Sequence, residues 1–421
     1  MTSIPRIIPV SLSLVLTMTL MAVSAAAQTS LFEIESSAGA KLIEVGDDGG
    51  FVVKGATDAG TVPATGAGAR LMWYPRRAAL RAGFVTSDGW DDQNVGVFSM
   101  ALGADAIASG IRSTALGAIT TASGESSTAM GARTLASGNT STAMGQGTKA
   151  VGNYSTAMGL GTSATGGSST ALGSGATASA DFSTAMGVAT TASGNSSTAM
   201  GYGTIASADY ATSMGIDTRA SGVSSTAIGA ASNAAGLASV AMGTRAIAQG
   251  DGSFAFADRS STETYTAGAN QFVVRAHGGI GFNSGTNIGC DLPAGEGGWA
   301  CTSSRLAKEG FASVDGEAVL AKLADIPIQR WYYLGSPVAH VGPTAEDFHG
   351  AFGLGEGPTT ITTIDADGVA LLGVQTLERR TAELRAENAE LRTAIATLLA
   401  GQVEVLRRLE GLESGRADSG R

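Results

Sequence analysis

Gly124-Glu125-Ser126-Ser127-Thr128-Ala129-Met130-Gly131-Ala132-Arg133-Thr134-Leu135-Ala136-Ser137 is followed by Gly138-Asn139-Thr140-Ser141-Thr142-Ala143-Met144-Gly145, the same text fourteen residues on. That step recurs through the middle of the chain. Gly103, Gly117, Gly131, Gly145, Gly159, Gly173, Gly187, Gly201, Gly215, Gly229 and Gly243 form one column. A second lies seven residues on: Gly110, Gly124, Gly138, Gly152, Gly166, Ala180, Gly194, Ala208, Gly222, Gly236 and Gly250. A flexible Gly/Ser/Ala linker has no reason to hold a Leu, Met or Ile in register before each first-column glycine, so the period describes architecture.

Glycine accepts positive φ without a steric penalty, so two glycines per period predict two tight turns. The few residues between them make one short strand each. One period is then one coil of a β-solenoid, and eleven coils stacked at the strand spacing make a rod on the order of 50 Å long. The inward positions are small, with Ala101, Ala115, Ala129 and Ala143 on one strand and Ala108, Ala122 and Ala136 on the other. So narrow a coil buries too little surface to stand alone. The column Leu102, Leu116, Met130, Met144, Met158, Leu172, Met186, Met200, Met214, Ile228 and Met242 is therefore expected to be a seam between identical chains. Ser-Thr-Ala-Met-Gly followed by Ala-Ser-Gly resembles the head repeat of YadA-type trimeric autotransporter adhesins. The resemblance covers residues 99–257 and implies a left-handed parallel β-roll in a homotrimer. Ala180, Ala208 and Ser213 depart from it and are expected to loosen a turn or a strand.

The 421-residue chain has a net charge of −10, 60 glycines and only 5% aromatic residues. One large globular core is excluded by this composition, and the acidic balance argues against a nucleic-acid partner. Residues 1–27 read as a secretory signal: Arg6, an apolar run from Ile7 to Val23, and Ala25-Ala26-Ala27 as a cleavage site. An uncleaved anchor is the alternative. After the signal no stretch is apolar enough to span a bilayer, so the mature chain is expected to be secreted or held at the cell surface.

Residues 28–98 should form an N-terminal β region and cap. Leu31 to Val53 alternates in three runs, a β-meander. The bulky residues around Trp73 and Trp90 suit a cap over the open solenoid end. Asp88, Asp91 and Asp92 read as a solvated acidic turn in preference to a Ca²⁺ site. Beyond Phe256 the period fades, and a β neck over 258–302 is expected, with strands at 270–276 and 278–282 flanking a turn. Cys290 and Cys301 either pair to close a Gly- and Pro-rich loop or remain free thiols. No metal or cofactor is expected, since His277, His340 and His349 lack ligand spacing and the glycines at 278–281 lack a βαβ context.

Heptad columns begin at Val374. One is Val374, Thr381, Asn388, Ile395, Gln402 and Leu409; the other is Leu377, Leu384, Leu391, Leu398, Val405 and Leu412. They predict a coiled coil over 374–412, followed by a disordered tail at 413–421. The pattern alone does not separate two strands from three.

One catalytic candidate stands out. Ser303 needs a base to become a nucleophile, and Lys308 five residues on is in position to serve if burial lowers its pKa. Ser303-x-Arg305-x-x-Lys308-Glu309 is followed by Val314-Asp315-Gly316, Trp331-Tyr332-Tyr333, His340-Val341-Gly342-Pro343 and Glu346-Asp347-Phe348. This set resembles the self-cleaving intramolecular chaperone domain of phage endosialidases, tailspikes and tail fibres. It covers about residues 303–380, with the domain proper at 303–373. The resemblance implies a Ser303/Lys308 dyad that cuts the Ser303-Ser304 bond once in cis, with His340, Gly342, Glu346 and Asp347 as motif residues. Ser304 and Glu346 stand where that family usually has Asp and Gln.

These readings converge on an exported, mainly β homotrimeric fibre with an adhesin-like head and a C-terminal α+β chaperone that releases itself. An extracellular polysaccharide-degrading enzyme or a phage-derived tail fibre is the alternative. The roll holds few, scattered acidic residues, which gives paired glycosidase carboxylates no source. Its small side chains leave the ligand of the head unread.

Overall fold

The computed structural model describes residues 30–418 except 47, 48, 58, 261 and 287. The signal segment at 1–27 lies outside the described residues. The chain divides into two compact units, the first ending at Cys301 and the second beginning at Thr302.

The first unit is dominated by a β-solenoid. Each coil contributes a five-residue strand, as at Thr128–Ala132, and a two-residue strand, as at Leu135–Ala136. The long strands pair in parallel and without slippage: Thr128 with Thr142, Ala129 with Ala143, Met130 with Met144. Together they form a 15-stranded sheet, and the short strands form a 12-stranded one. Twelve short strands give twelve coils and a length of about 60 Å at the strand spacing. The interior is an alanine ladder, with Ala101, Ala115, Ala129, Ala108, Ala122 and their successors fully buried. At several corners before a long strand a buried serine hydroxyl donates to the carbonyl three residues back, as Ser127 Oγ does to Gly124 O at 2.7 Å and Ser169 Oγ to Gly166 O at 2.7 Å.

The glycines are placed differently from the expectation. First-column residues sit inside the long strands: Gly131 is the fourth residue of Thr128–Ala132, with φ +117°. A Cβ there would stand 2.1 Å from Gly145 O. The second column has ordinary φ and is small because the next coil passes close; a Cβ on Gly124 would meet Gly138 O at 2.0 Å. The left-handed corners belong instead to other residues, one series running through Ile119 and Arg133, the other through Ser126, Thr140 and Tyr154. Their amides keep the ladder going, as Arg133 N donates to Ala118 O at 2.8 Å and Thr140 N to Glu125 O at 2.7 Å.

Nor do the departures loosen the coils. Ser183 Oγ still donates to Ala180 O at 2.6 Å, and Ala211 N to Ala208 O at 3.2 Å. Ser213 is buried, but its hydroxyl lies 2.8 Å from that of Thr218, so the interior oxygen has a partner.

At the N-terminal end β1 (Ser30–Glu35), β2 (Lys41–Gly46) and β3 (Phe51–Val53) form the antiparallel meander. The hairpin β4 (Gly68–Tyr74) and β5 (Ala79–Val85) then joins the solenoid directly, with β5 parallel to Met100–Ala104. Arg81 therefore falls on the alanine row, opposite Ala101. Its buried guanidinium donates to Leu80 O, Ser99 O, Ser99 Oγ and Ala108 O, plugging the open end. Burial, with Arg77 nearby, pulls its pKa down to about 10. Trp90 is buried beside it and donates Nε1–H to Ala106 O at 2.7 Å. Of the acidic turn, Asp92 accepts from Tyr74 and Arg77, and Asp91 from Gly66 N.

The roll also runs past 257. Phe272–Arg275 pairs in parallel with Phe254–Ala257, and Thr264–Thr266 with Ala246–Ala248. The last coil spans 18 residues, Phe254 to Phe272, so its extra loop hid it from the period. The strands expected to flank a turn therefore separate: Phe272–Arg275 ends the solenoid, while Ile280–Gly285 pairs antiparallel with Ile288–Leu292. Asp258 ties the loop, accepting from Ser260 N and from both His277 N and Nδ1, and lies beside Arg275.

In the second unit α1 (Gly316–Asp325), a hairpin of Gln329–Tyr332 with Ala339–Gly342, α2 (Ala345–Phe352) and α3 (Thr363–Asp418) follow in order. Asp315 and Thr344 cap α1 and α2. Val319, Ile326, Phe348 and Val369 form the core. The heptad helix starts earlier than Val374 and runs on past Leu412 to Asp418, where a disordered tail was expected. The residues before 374 join it because Val369 and Leu372 pack on α1 and α2. No proline lies between Leu412 and Asp418, and the single Gly415 lowers helix propensity without removing a backbone donor. Glu317 of α1 meets Arg379 and Arg380 of α3, whose guanidinium groups hold its carboxyl below the usual range.

Candidate functional site: the Ser303–Lys308 turn

The chain after Thr302 makes a single 3₁₀ turn over Arg305–Ala307. Ser304 is its N-cap, its hydroxyl accepting from Leu306 N at 3.2 Å. Serine and aspartate both serve as N-caps, so Ser304 keeps the local geometry that Asp would give. Lys308 closes the turn as C-cap. One tight turn brings the Lys308 side chain back over Ser303, and Nζ donates to Ser303 Oγ at 2.7 Å. The two residues selected by spacing are thus in direct contact.

Every residue of this segment is solvent-exposed. A lysine becomes a general base when an apolar, desolvating environment disfavours its charge. A single chain gives Lys308 no such environment. Arg305 stacks its guanidinium over Phe311 at 4.4 Å and anchors the loop.

The motif residues lie elsewhere in the unit. His340, on the strand Ala339–Gly342, stacks on Trp331 at 4.8 Å and meets the edge of Tyr333 at 5.4 Å. Gly342 ends that strand. Glu346 and Asp347 occupy the first turn of α2, where acidic side chains favour the helix dipole. Asp347 and Thr344 exchange bonds at 2.9 and 3.2 Å. Among the described residues, the ring contacts of His340 stay within its hairpin and the side-chain bond of Asp347 within the capped first turn of α2.

Two further features bear on function. Cys290 and Cys301 face each other across paired strands and form a disulfide just before Ser303. Leu384, Leu391 and Leu398 on α3 are each more than half exposed; the Leu/Met column of the roll lies outside the alanine interior and is half-buried, Met158 alone in it reaching 38% exposure. Among the described residues no helix is long and apolar enough to cross a membrane, and no cluster of three or more metal-ligating side chains is present.

No curated protein matches the chain. The family model of the YadA head domain repeat, in two copies, matches at residues 95–118, 108–134, 122–148, 136–162, 164–189, 192–218 and 220–246. All seven stretches fall within the stacked coils, so the roll is similar to YadA heads both in its fourteen-residue text and in the parallel ladder built from it.

Proposed function

We propose that the chain is an exported, homotrimeric, adhesin-like surface fibre whose second unit is an intramolecular chaperone that cuts itself off at the Ser303-Ser304 bond. The observation that carries the trimer is an apolar register on both units that lies outside any core of its own. Inward positions of the roll hold only small side chains, while Leu102, Met130 and their column lie off the alanine interior and are only half-buried, and the exposed Leu384, Leu391 and Leu398 repeat the demand on α3. Buried against two more copies, these columns gain the water-excluded area that one narrow coil lacks. YadA heads assemble in this manner, which supports three chains over two.

The Lys308–Ser303 contact supports the second half of the reading. In the assembled trimer, neighbouring chains desolvate Lys308 until its neutral amine can take the Ser303 proton. The hydroxyl oxygen attacks the carbonyl at the Ser303-Ser304 bond, the new ammonium protonates the departing Ser304 nitrogen, and water opens the ester. Attack on its own carbonyl would close a four-membered ring, so the cut expected in cis is assigned instead to the Ser303 hydroxyl of an adjacent chain in the same trimer. Desolvation by neighbours makes cleavage a checkpoint, because a lone exposed dyad stays silent. Long-range parallel pairing is slow, and the helices align three chains first. After the cut the Cys290–Cys301 loop stays with the fibre, which is then trapped kinetically.

Intact-mass analysis of the secreted protein tests both parts. Wild type should give a fibre fragment ending at Ser303 and a released C-terminal piece. Ser303→Ala and Lys308→Ala should each leave full-length chains that still run as trimers unboiled. Continued cutting at that bond in either variant removes the dyad, and a monomeric wild type removes the trimer.

A further inference from the structure

We propose that one corner of the roll, carrying Tyr154, Phe182 and Tyr210, is a binding face for an extended, uncharged β-1,4-linked polysaccharide, each ring stacking under every second sugar. The proposal deepens the adhesin reading by naming a ligand class, and rests on the roll being displayed outside the cell.

These three residues occupy one left-handed corner column at φ +60°, +58° and +59°. For a bulky side chain that conformation is an outlier with a backbone penalty. Burial does not offset it, since the rings are 67%, 66% and 64% exposed. The ladder imposes this φ on the whole column, from Phe98 to Asn270; what calls for a reason is that a large ring is kept at so costly a corner with its surface open to solvent.

The column also alternates. From Thr140 it reads Thr140, Tyr154, Ser168, Phe182, Ser196, Tyr210, Ser224, an aromatic in every second coil with a small hydroxyl residue between. Phe98 stands in the same column, four coils before Tyr154, at φ +57° and 61% exposed. A subunit seam makes the same demand on every coil, as the Leu/Met column shows. An alternating column instead suits a ligand whose own repeat is two units long. Rings two coils apart are about 9.6 Å apart along the ladder. In a β-1,4-linked chain each sugar is flipped relative to the last, so like faces recur every second sugar at nearly that distance. The apolar sugar face lies on the ring, and the exposed Ser168 and Ser196 hydroxyls lie within reach of the sugars between.

The platform is fixed in advance. Each aromatic follows an Asn or Asp whose Oδ1 accepts the amide of the coil before: Asn153 from Asn139 N at 3.0 Å, Asp181 from Gly167 N at 2.7 Å and Asp209 from Asn195 N at 2.8 Å. Rigid rings lose little freedom on binding. The carboxylates of Asp181 and Asp209 beside the rings repel acidic polysaccharides and leave neutral chains such as cellulose or chitin.

The test is retention of the whole secreted protein on microcrystalline cellulose and on chitin, with calorimetry against cellohexaose and chitohexaose. Wild type should bind at least one polymer and its hexasaccharide. Tyr210→Ser alone should weaken binding about tenfold, and the triple replacement Y154S/F182S/Y210S should abolish retention with melting temperature and oligomeric size unchanged, serine being the residue of the intervening coils. Deleting residues 155–168 removes one coil, puts Tyr154 and Phe182 one coil apart, and should also abolish retention in a folded protein. The proposal is overturned if wild type binds neither polymer, if the triple or coil-deleted variant binds like wild type, or if the ring substitutions dissociate the oligomer, which would make the column a subunit contact. A monomeric wild type that binds would sink the trimer and leave the binding face standing.

Discussion

Replacing Gly187 by alanine should break the roll where replacing Gly194 only bends it. Both positions look equally crowded: a Cβ on Gly187 would lie 2.0 Å from Gly201 O, and one on Gly194 1.9 Å from Ala208 O. They differ in backbone. Gly187 sits in mid-strand at φ +128°, whereas Gly194 has an ordinary φ. The second column already carries alanine at 180 and 208; the first is glycine from 103 to 243, and where Ala257 takes its register in the last coil the φ is no longer positive. At Gly194 the cost is the overlap alone, about 1–3 kcal/mol. At Gly187 a strained φ adds about 1–3 kcal/mol and a stretched ladder hydrogen bond about 1 kcal/mol. The sum is about 3–7 kcal/mol per chain, against a typical domain stability of about 5–15 kcal/mol. Since coils contact only their neighbours, a central break splits the array. Circular dichroism melting of the full chain should show Gly187→Ala lower by on the order of 10 °C or more, with protease cuts near residue 187, and Gly194→Ala lower by a few degrees. Equal melting of the two variants would refute the assignment of the columns to φ and to close approach.

Two other sites give independent checks. Arg81→Met keeps the volume of the N-terminal plug but leaves the carbonyls of Leu80, Ser99 and Ala108 without their buried donor; relief of a desolvated charge offsets part of this, and a net loss of about 2 kcal/mol is expected. Hydrogen exchange should quicken at residues 100–108 and stay unchanged at 226–244, and uniform quickening would contradict nearest-neighbour stacking. Asp258 is held well below the usual carboxylate range by the amides of His277 and Ser260. A depressed carboxyl stabilises above its unfolded value, near pH 4, and loses that contribution as pH falls toward its folded one. The melting difference between wild type and Asp258→Asn should therefore stay constant from pH 8 to 5 and shrink only below about 4; shrinkage already near pH 6 would refute the assignment to this carboxyl.

What the sequence disclosed followed from how each constraint repeats. The alanine ladder, the parallel register and eleven of the twelve coils were legible because every such coil faces the same steric demand and answers it with the same letter. The left-handed corners were not, since Arg133, Thr140 and Tyr154 share no residue type. Backbone conformation is set there by the ladder bonds of the corner amides, and a ladder spread over twelve coils overrides local preference. Arg81 and the 18-residue last coil escaped for the opposite reason: each occurs once, so no period announces it. The Ser303–Lys308 contact was legible from spacing, because one 3₁₀ turn is local geometry.

Locality also explains the division of labour between the units. A helix such as α3 forms from contacts three and four residues away, and in the proposed trimer its exposed leucines would meet two sister helices before any coil has closed. The roll can do neither. Its first coil gains nothing until a second stacks on it, and its inward alanines give each new coil only a small hydrophobic return. A chain made of such coils nucleates where something bulky holds an end shut. At one end that is the Arg81–Trp90 cap. At the other, the last coil closes with Phe254 stacked on Phe272 at 5.0 Å, and Asp258 ties its loop. The Cys290–Cys301 bond lies between this closed end and Ser303. Under the proposed function the aligning helices would have no further task once the ends are fixed, and the proposed cut at Ser303 would remove them without opening a coil.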